Sequence, residues 1–344
     1  IDEWQDAPQL WDAVRFEVDR RSKEGLFILT GSTTVDPQKI AHTGTGRITR
    51  LNMRTKSLFE SGFSNGRVSL KAIFDGDEIS GKSEHTISEV AEQIVRGGWP
   101  GSFNKSYETA KRQVAGYCRS IMETEISEPD GISRDPQKVK AVLKSYSRHV
   151  SSSASMTTIT KDVSEYFNPL SRVTAIDYIS ALEKIYVVEE LKAWSPRLRS
   201  KTAIAISPTR HFVDPAIAAH FLGAGASDLM NDLETYGLLF ESLVVRDLRI
   251  YAESLGGSVY HYRDHSGLEA DAIVHLPGGK WGAFEVKLGE AWIEEAAGNL
   301  LKLKDKIDTD KTKAPSFLGV ICGSGYAYQR KDGVYVIPID CLRN

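Results

Sequence analysis

Apolar positions recur along this chain at a helical period in its first two thirds and at a strand period near its end. After Pro8, Leu10, Trp11, Val14 and Val18 form one helical stripe, and Gly25 stops it. Leu26–Leu29 reads as a buried strand ending at Thr30-Gly31-Ser32, and Ile1-Asp2-Glu3 reads as the tail of another. That strand–helix–strand rhythm is the rhythm of a parallel sheet. The opening without methionine reads as a truncation inside that first strand.

Residues 33–81 are rich in Gly, Ser, Thr and charge, with one predicted strand over Val68–Phe74. Helices are predicted around Ile87–Ile94, closed by Gly97-Gly98 and Pro100, and on the stripes Ala110–Ile121 and Val139–Tyr146. Ser151–Ser155 reads as a short linker. A brief helix at Ile159–Tyr166 and a longer one from Ser171, carrying Ala175, Ile179 and Leu182, come next. Two β-like runs, Tyr186–Trp194 and Thr202–Ile206, then complete a winged-helix outline. A long helix carrying Leu233, Gly237, Phe240, Val244, Leu248 and Tyr251 opens the last domain. Strands are predicted at Val259–Arg263, Glu269–Leu276, Trp281–Lys287, Phe317–Cys322 and Val334–Ile339, with a helix over Ala291–Ile307. Domain boundaries are expected at 1–105, 106–225 and 226–344.

Composition narrows the classes. With 41% hydrophobic and 26% charged residues the chain is globular in character, and no apolar run approaches the roughly 20 residues that span a membrane. Three cysteines with no CxxC pair fit a reducing cytoplasm and argue against a zinc site. A net charge of -3 means that nucleic acid could be held only by a local basic patch.

Candidate chemistry falls at three places. Asp2 and Glu3 end a strand, where one carboxylate can hold hydrated Mg²⁺ and the other can polarise a water; Thr30 or Ser32, on the neighbouring strand tip, can sense a γ-phosphate. Alone, an Asp-Glu dipeptide is a common surface feature. Arg197, Arg199 and Lys201 crowd the tip of the proposed wing and Arg172 starts the preceding helix, a pattern that suits phosphate contact and equally a solvated turn. In the last domain Asp271 faces Glu285 across a hairpin centred on Gly278, with Lys287 on the same face as Glu285 and Glu241 on the preceding helix. Two carboxylates and a lysine so placed are the constellation of metal-dependent nucleases of the PD-(D/E)XK type, with Mg²⁺ or Mn²⁺ on Glu241, Asp271 and Glu285. The same residues could instead form a structural charge cluster. The scattered histidines make no metal set.

A literal phosphate-loop match, Gly76-Asp77-Glu78-Ile79-Ser80-Gly81-Lys82-Ser83, is read as a polar loop. Acidic residues crowd it, and the helical stripe that should face the phosphate begins only at Ile87.

Asp2-Glu3-Trp4-Gln5 with Pro8 and Leu10-Trp11, then Leu29-Thr30-Gly31-Ser32, Gly46-Arg47 and Gly97-Gly98-Trp99-Pro100 together resemble prokaryotic AAA-like ATPases with a C-terminal domain of unknown function. The likeness runs along essentially the whole chain. It implies an α/β fold: a partial P-loop AAA-like domain, a winged-helix middle and a PD-(D/E)XK nuclease-like C-terminal domain. It also implies that Asp2-Glu3 is the Walker B pair, Ser32 the sensor and Arg47 an arginine finger, with ATP and Mg²⁺ as ligands. The Walker A loop that the family places before Walker B is absent from this sequence. The expected function is ATP-dependent action on nucleic acid, DNA foremost. The alternatives are an ATP-controlled module docking a protein partner or a second copy through a silent nuclease-like domain, and a metal-dependent nuclease.

Overall fold

The computed structural model describes residues 1–33, 44–166, 169–196, 206–309 and 312–344. Near the N-terminus Ile1 lies parallel to Leu29: Ile1 N donates to Ile28 O at 2.9 Å and Thr30 N donates to Ile1 O at 2.9 Å. Helix α1 (Gln9–Arg21) follows Pro8, buries Trp11 and Val14, and ends on Ser22 in the left-handed conformation. Leu26–Leu29 is extended but not the buried strand expected, since Ile28 is 78% exposed. A parallel strand is buried only when strands flank it and helices cover both faces, and among the described residues Ile1 is its ladder partner.

The predicted strand over Val68–Phe74 is mostly a helix. Only Val68–Ser69 (β1) is a strand, and Leu70–Asp75 forms α2. Leu70, Ile73 and Phe74 are spaced for a helix and all buried, Ser69 accepts from Ala72 N as N-cap, and Gly76 closes the helix at φ 81°. Gly81–Lys82 (β2) precedes α3 (Ile87–Arg96), whose N-terminus carries a full capping box between Thr86 and Glu89. Four further helices follow: α4 (Tyr107–Glu123), α5 (Pro136–Arg148), α6 (Met156–Tyr166) and α7 (Arg172–Lys184).

After α7 the 186–194 run pairs with residues that follow the expected hairpin partner. Val188 bridges Phe212 and Leu191 bridges Thr209, both antiparallel, so the described partner of the 186–194 run is 209–212. Residues 202–205 of the expected partner lie outside the described residues. Val188 and Phe212 are both buried, which favours this pairing. Ala193 then bridges His261, covering the outer edge of the main sheet.

Helices α8 (Pro215–Leu222) and α9 (Ala226–Asn231) lead into α10 (Leu233–Ser254). The strands β3 (Ser258–Arg263), β4 (Glu269–His275), β5 (Trp281–Lys287), β6 (Phe317–Cys322), β7 (Tyr326–Gln329) and β8 (Tyr335–Pro338) follow, with α11 (Ile293–Lys306) between β5 and β6. They form a mixed seven-stranded sheet in the order β2-β7-β8-β6-β5-β4-β3, so the molecule is of mixed α/β type. The last strand, β9 (Leu342–Arg343), runs parallel to β1 in a separate pair.

Side chains alternate across the sheet, and two apolar cores result. Ala272, Val274, Phe284 and Val286 join the core that contains α10 and runs from Leu58 to Leu342. Ile273, Trp281 and Ala283 face the second core, closed by Ala296, Ala297, Leu300 and Leu303 of α11.

Candidate functional site

The C-terminal hairpin brings Asp271 and Glu285 together. The β4–β5 register runs from His275↔Trp281 to Ala272↔Phe284, one pair short of Asp271 and Glu285. On its other edge β4 is bulged: Tyr260 pairs with Ile273 but Tyr262 with Ala270, leaving Asp271 and Ala272 against His261 alone. A bulge re-aims the side chains it carries. The Asp271 carboxylate accepts from Val286 N at 2.7 Å. Lys287 Nζ lies 2.8 Å from Glu285 and 3.9 Å from Asp271.

The charges explain the electrostatics. Burial, reinforced by the charge of Asp271, pushes the Glu285 carboxyl up to about 8, although Lys287 pulls the other way. Burial also raises Asp271, against the pull of Lys287 and the Val286 N–H. Glu241 is held well above the carboxylate range, by burial first and then by Asp271. Burial disfavours the Lys287 cation, but Asp271 and Glu285 outweigh it and raise its affinity for the proton.

The charges of Asp271 and Glu285 both act on Glu241, so the three expected ligands lie in one cluster. Among the described residues no group of three or more Asp, Glu, His or Cys side chains could hold a metal ion. The Lys287 ammonium lies within ion-pairing distance of both hairpin carboxylates.

At the other end of the chain Thr30 Oγ1 donates to Asp2 Oδ1, and Ser32 offers both its N–H and its hydroxyl to Glu3 Oε2 at 3.3 Å. Gln5 Nε2 donates to the same Glu3 oxygen. Glu3 itself is left-handed at φ 45°, a conformation uncommon outside glycine and often found at functional sites. Both acids are exposed. Arg47, half-exposed, is bound to Asp19 of α1 at 2.6 Å.

The Gly76–Ser83 match to a phosphate loop is a helix end followed by a strand. Gly81-Lys82 pairs with Tyr326-Ala327, Lys82 Nζ stands over the Tyr326 ring, and Ser83 Oγ donates to Asp340 at 2.9 Å. No helix opens at Lys82, so this segment lacks the N-terminal amides that would cradle phosphate. Arg172 is the exposed first residue of α7, while Arg197, Arg199 and Lys201 lie outside the described residues.

A buried network escaped the sequence reading. Arg246, on α10, binds Asp214 at 3.0 Å and Asp247 at 2.8 Å, and all three are buried. Asp214 also accepts from Thr55 Oγ1 and Gly98 N, and Asp247 from Leu58 N. The available signal was a charged Arg246-Asp247 pair inside the apolar stripe of a long helix.

Residues 87–228 match the family model described as a domain of unknown function (DUF8612), and residues 236–342 match another so described (DUF4143). The second family is often found in AAA-like ATPase proteins. No curated protein and no solved structure matches the chain.

Proposed function

We propose that this chain belongs to an AAA-like ATP-binding protein that acts on nucleic acid in an ATP-dependent way. The observation that carries the reading is the adjacent pair Asp2 and Glu3, bound to the hydroxyls of Thr30 and Ser32. In this reading Glu3 accepts the proton of the attacking water, and Asp2 holds the hydrated Mg²⁺ that neutralises phosphate charge. Thr30 and Ser32 keep the two carboxylates apart and aimed, and Ser32 is the group that meets the γ-phosphate. Arg47 acts as a finger only after leaving Asp19. The match of residues 236–342 to a family often found in AAA-like ATPases supports the assignment.

A second reading, an ATP-controlled interaction module, is favoured by the hairpin cluster. With Lys287 paired to Glu285 and Asp271, those residues serve as a buried charge cluster and the C-terminal domain as a docking platform.

ATP hydrolysis by the natural gene product that carries these residues separates the two readings. Single-stranded or duplex DNA is expected to raise the steady-state rate. A measurable rate that neither DNA changes would replace nucleic-acid action with the docking reading.

A further inference from the structure

The Gly97-Gly98-Trp99-Pro100 segment walls a cleft of about 260 Å³ that neither Asp2 nor Glu3 lines. Its back is two backbones in contact. Lys56 N donates to Gly98 O at 2.8 Å, Gly98 N donates to Asp214 at 2.9 Å, and a Cβ on Gly98 would lie 2.3 Å from Lys56 O. Only glycine allows that approach. Arg96 Nη2 donates to Ser102 O and Lys105 O, each at 3.1 Å, and so fixes the 102–105 loop as the facing wall.

The lining is one-sided in charge. Lys56, Arg96 and Lys105 line the cleft and no Asp or Glu does. Among the described residues none of these three is ion-paired with a carboxylate, whereas Arg246 on the floor is held by Asp214 and Asp247. Aromatic faces stand beside the cations. Phe103 is 43% exposed with Lys56 Nζ 4.5 Å from its ring centroid, and Trp99 lines the same wall. Cations without counter-ions beside an exposed ring are the combination that recognises a base together with its phosphate. A bare anion has no use for the rings, and an apolar ligand none for three cations.

We propose that the cleft between residues 56–63 and 96–105 binds a nucleoside phosphate, with the base against Phe103 and Trp99 and the phosphate at Lys56 and Lys105. Its volume lies just below the roughly 300 Å³ at which ligand pockets commonly begin, so it admits a single nucleotide unit. That unit is either a free nucleotide or one residue of a single strand. Binding here is independent of turnover at Asp2 and Glu3, so either assignment can fail without the other.

The test is fluorescence anisotropy of the full chain at low salt, with a 5′-fluorescein-labelled oligothymidylate of about 12 nucleotides, beside calorimetry with AMP. AMP, the oligonucleotide or both are expected to bind. Lys56→Gln with Lys105→Gln should weaken that binding by about tenfold or more, and Phe103→Ala by about fivefold or more. Inorganic phosphate should compete far less well than AMP. If the double variant fails to fold, Lys105→Gln alone carries the test, because Lys105 is exposed. AMP binding as tightly as the oligonucleotide identifies a free-nucleotide site, and binding of the oligonucleotide alone identifies a strand site. Absence of both, binding unchanged in the variants, or phosphate competing as well as AMP would overturn the proposal.

Discussion

The Lys287 ammonium lies 2.8 Å from the Glu285 carboxylate, at the end of a strand whose other side chains are buried in apolar cores. Glu285 is 2% exposed, while the Lys287 side chain is about a third exposed. Its proton balance therefore enters the stability of the fold. The carboxyl sits near 8 in the folded chain and near its ordinary value when unfolded. A group raised in this way contributes stability that is fully present at acid pH and is lost as pH rises towards 8.

The resulting expectation concerns Glu285→Gln. At pH 4 the parent carboxyl is already neutral and the substitution should be almost silent. At pH 8 and above the variant should be more stable than the parent, because Gln never takes on the buried charge. Chemical denaturation at the two pH values checks this. A variant destabilised equally at both would show that Glu285 acts through packing rather than ionisation.

Removing the cation of the central network should cost far more. Arg246→Met leaves Asp214 and Asp247 buried without their shared partner. Breaking a buried pair from one side typically costs about 3–5 kcal/mol. Urea unfolding should show a loss of that size, and a loss under about 1 kcal/mol would mean that water reaches the two acids.

The phosphate-loop match supplies a contrast between neighbours. Lys82→Ala removes a side chain exposed on a two-residue strand, and should shift stability by no more than about 0.5 kcal/mol. Asp340→Ala should cost about 2 kcal/mol or more, because fully buried Asp340 accepts from Ser83 Oγ, Glu84 N and His85 N. A strong effect of Lys82→Ala on ATP affinity would restore the loop as a phosphate site.

Much of the fold was legible because period and punctuation agreed. The ends of β5 and β6, at Trp281, Lys287, Phe317 and Cys322, fall where the apolar runs end. The Gly278 turn set the β4–β5 register, because an antiparallel register is fixed once its turn is known. Leu70–Asp75 was misread as strand, since a short apolar run does not separate the two periods and only the Ser69 cap and Gly76 decide for helix. The pairing of the 186–194 run with 209–212 was not legible, because β propensity names a strand but not its neighbour. Neither the Arg246 network nor the cleft at Gly98 could be read, since each joins residues more than 30 positions apart in the chain.

The central claim concerns Glu3, and the decisive measurement is ATP affinity and ATP turnover side by side in the natural gene product carrying Glu3→Gln. If Glu3 takes the proton of the attacking water, the variant should bind ATP as tightly as the parent while its turnover falls by about a hundredfold or more. Turnover within a factor of about two of the parent, with binding intact, would contradict the assignment of Asp2 and Glu3 as the hydrolytic pair.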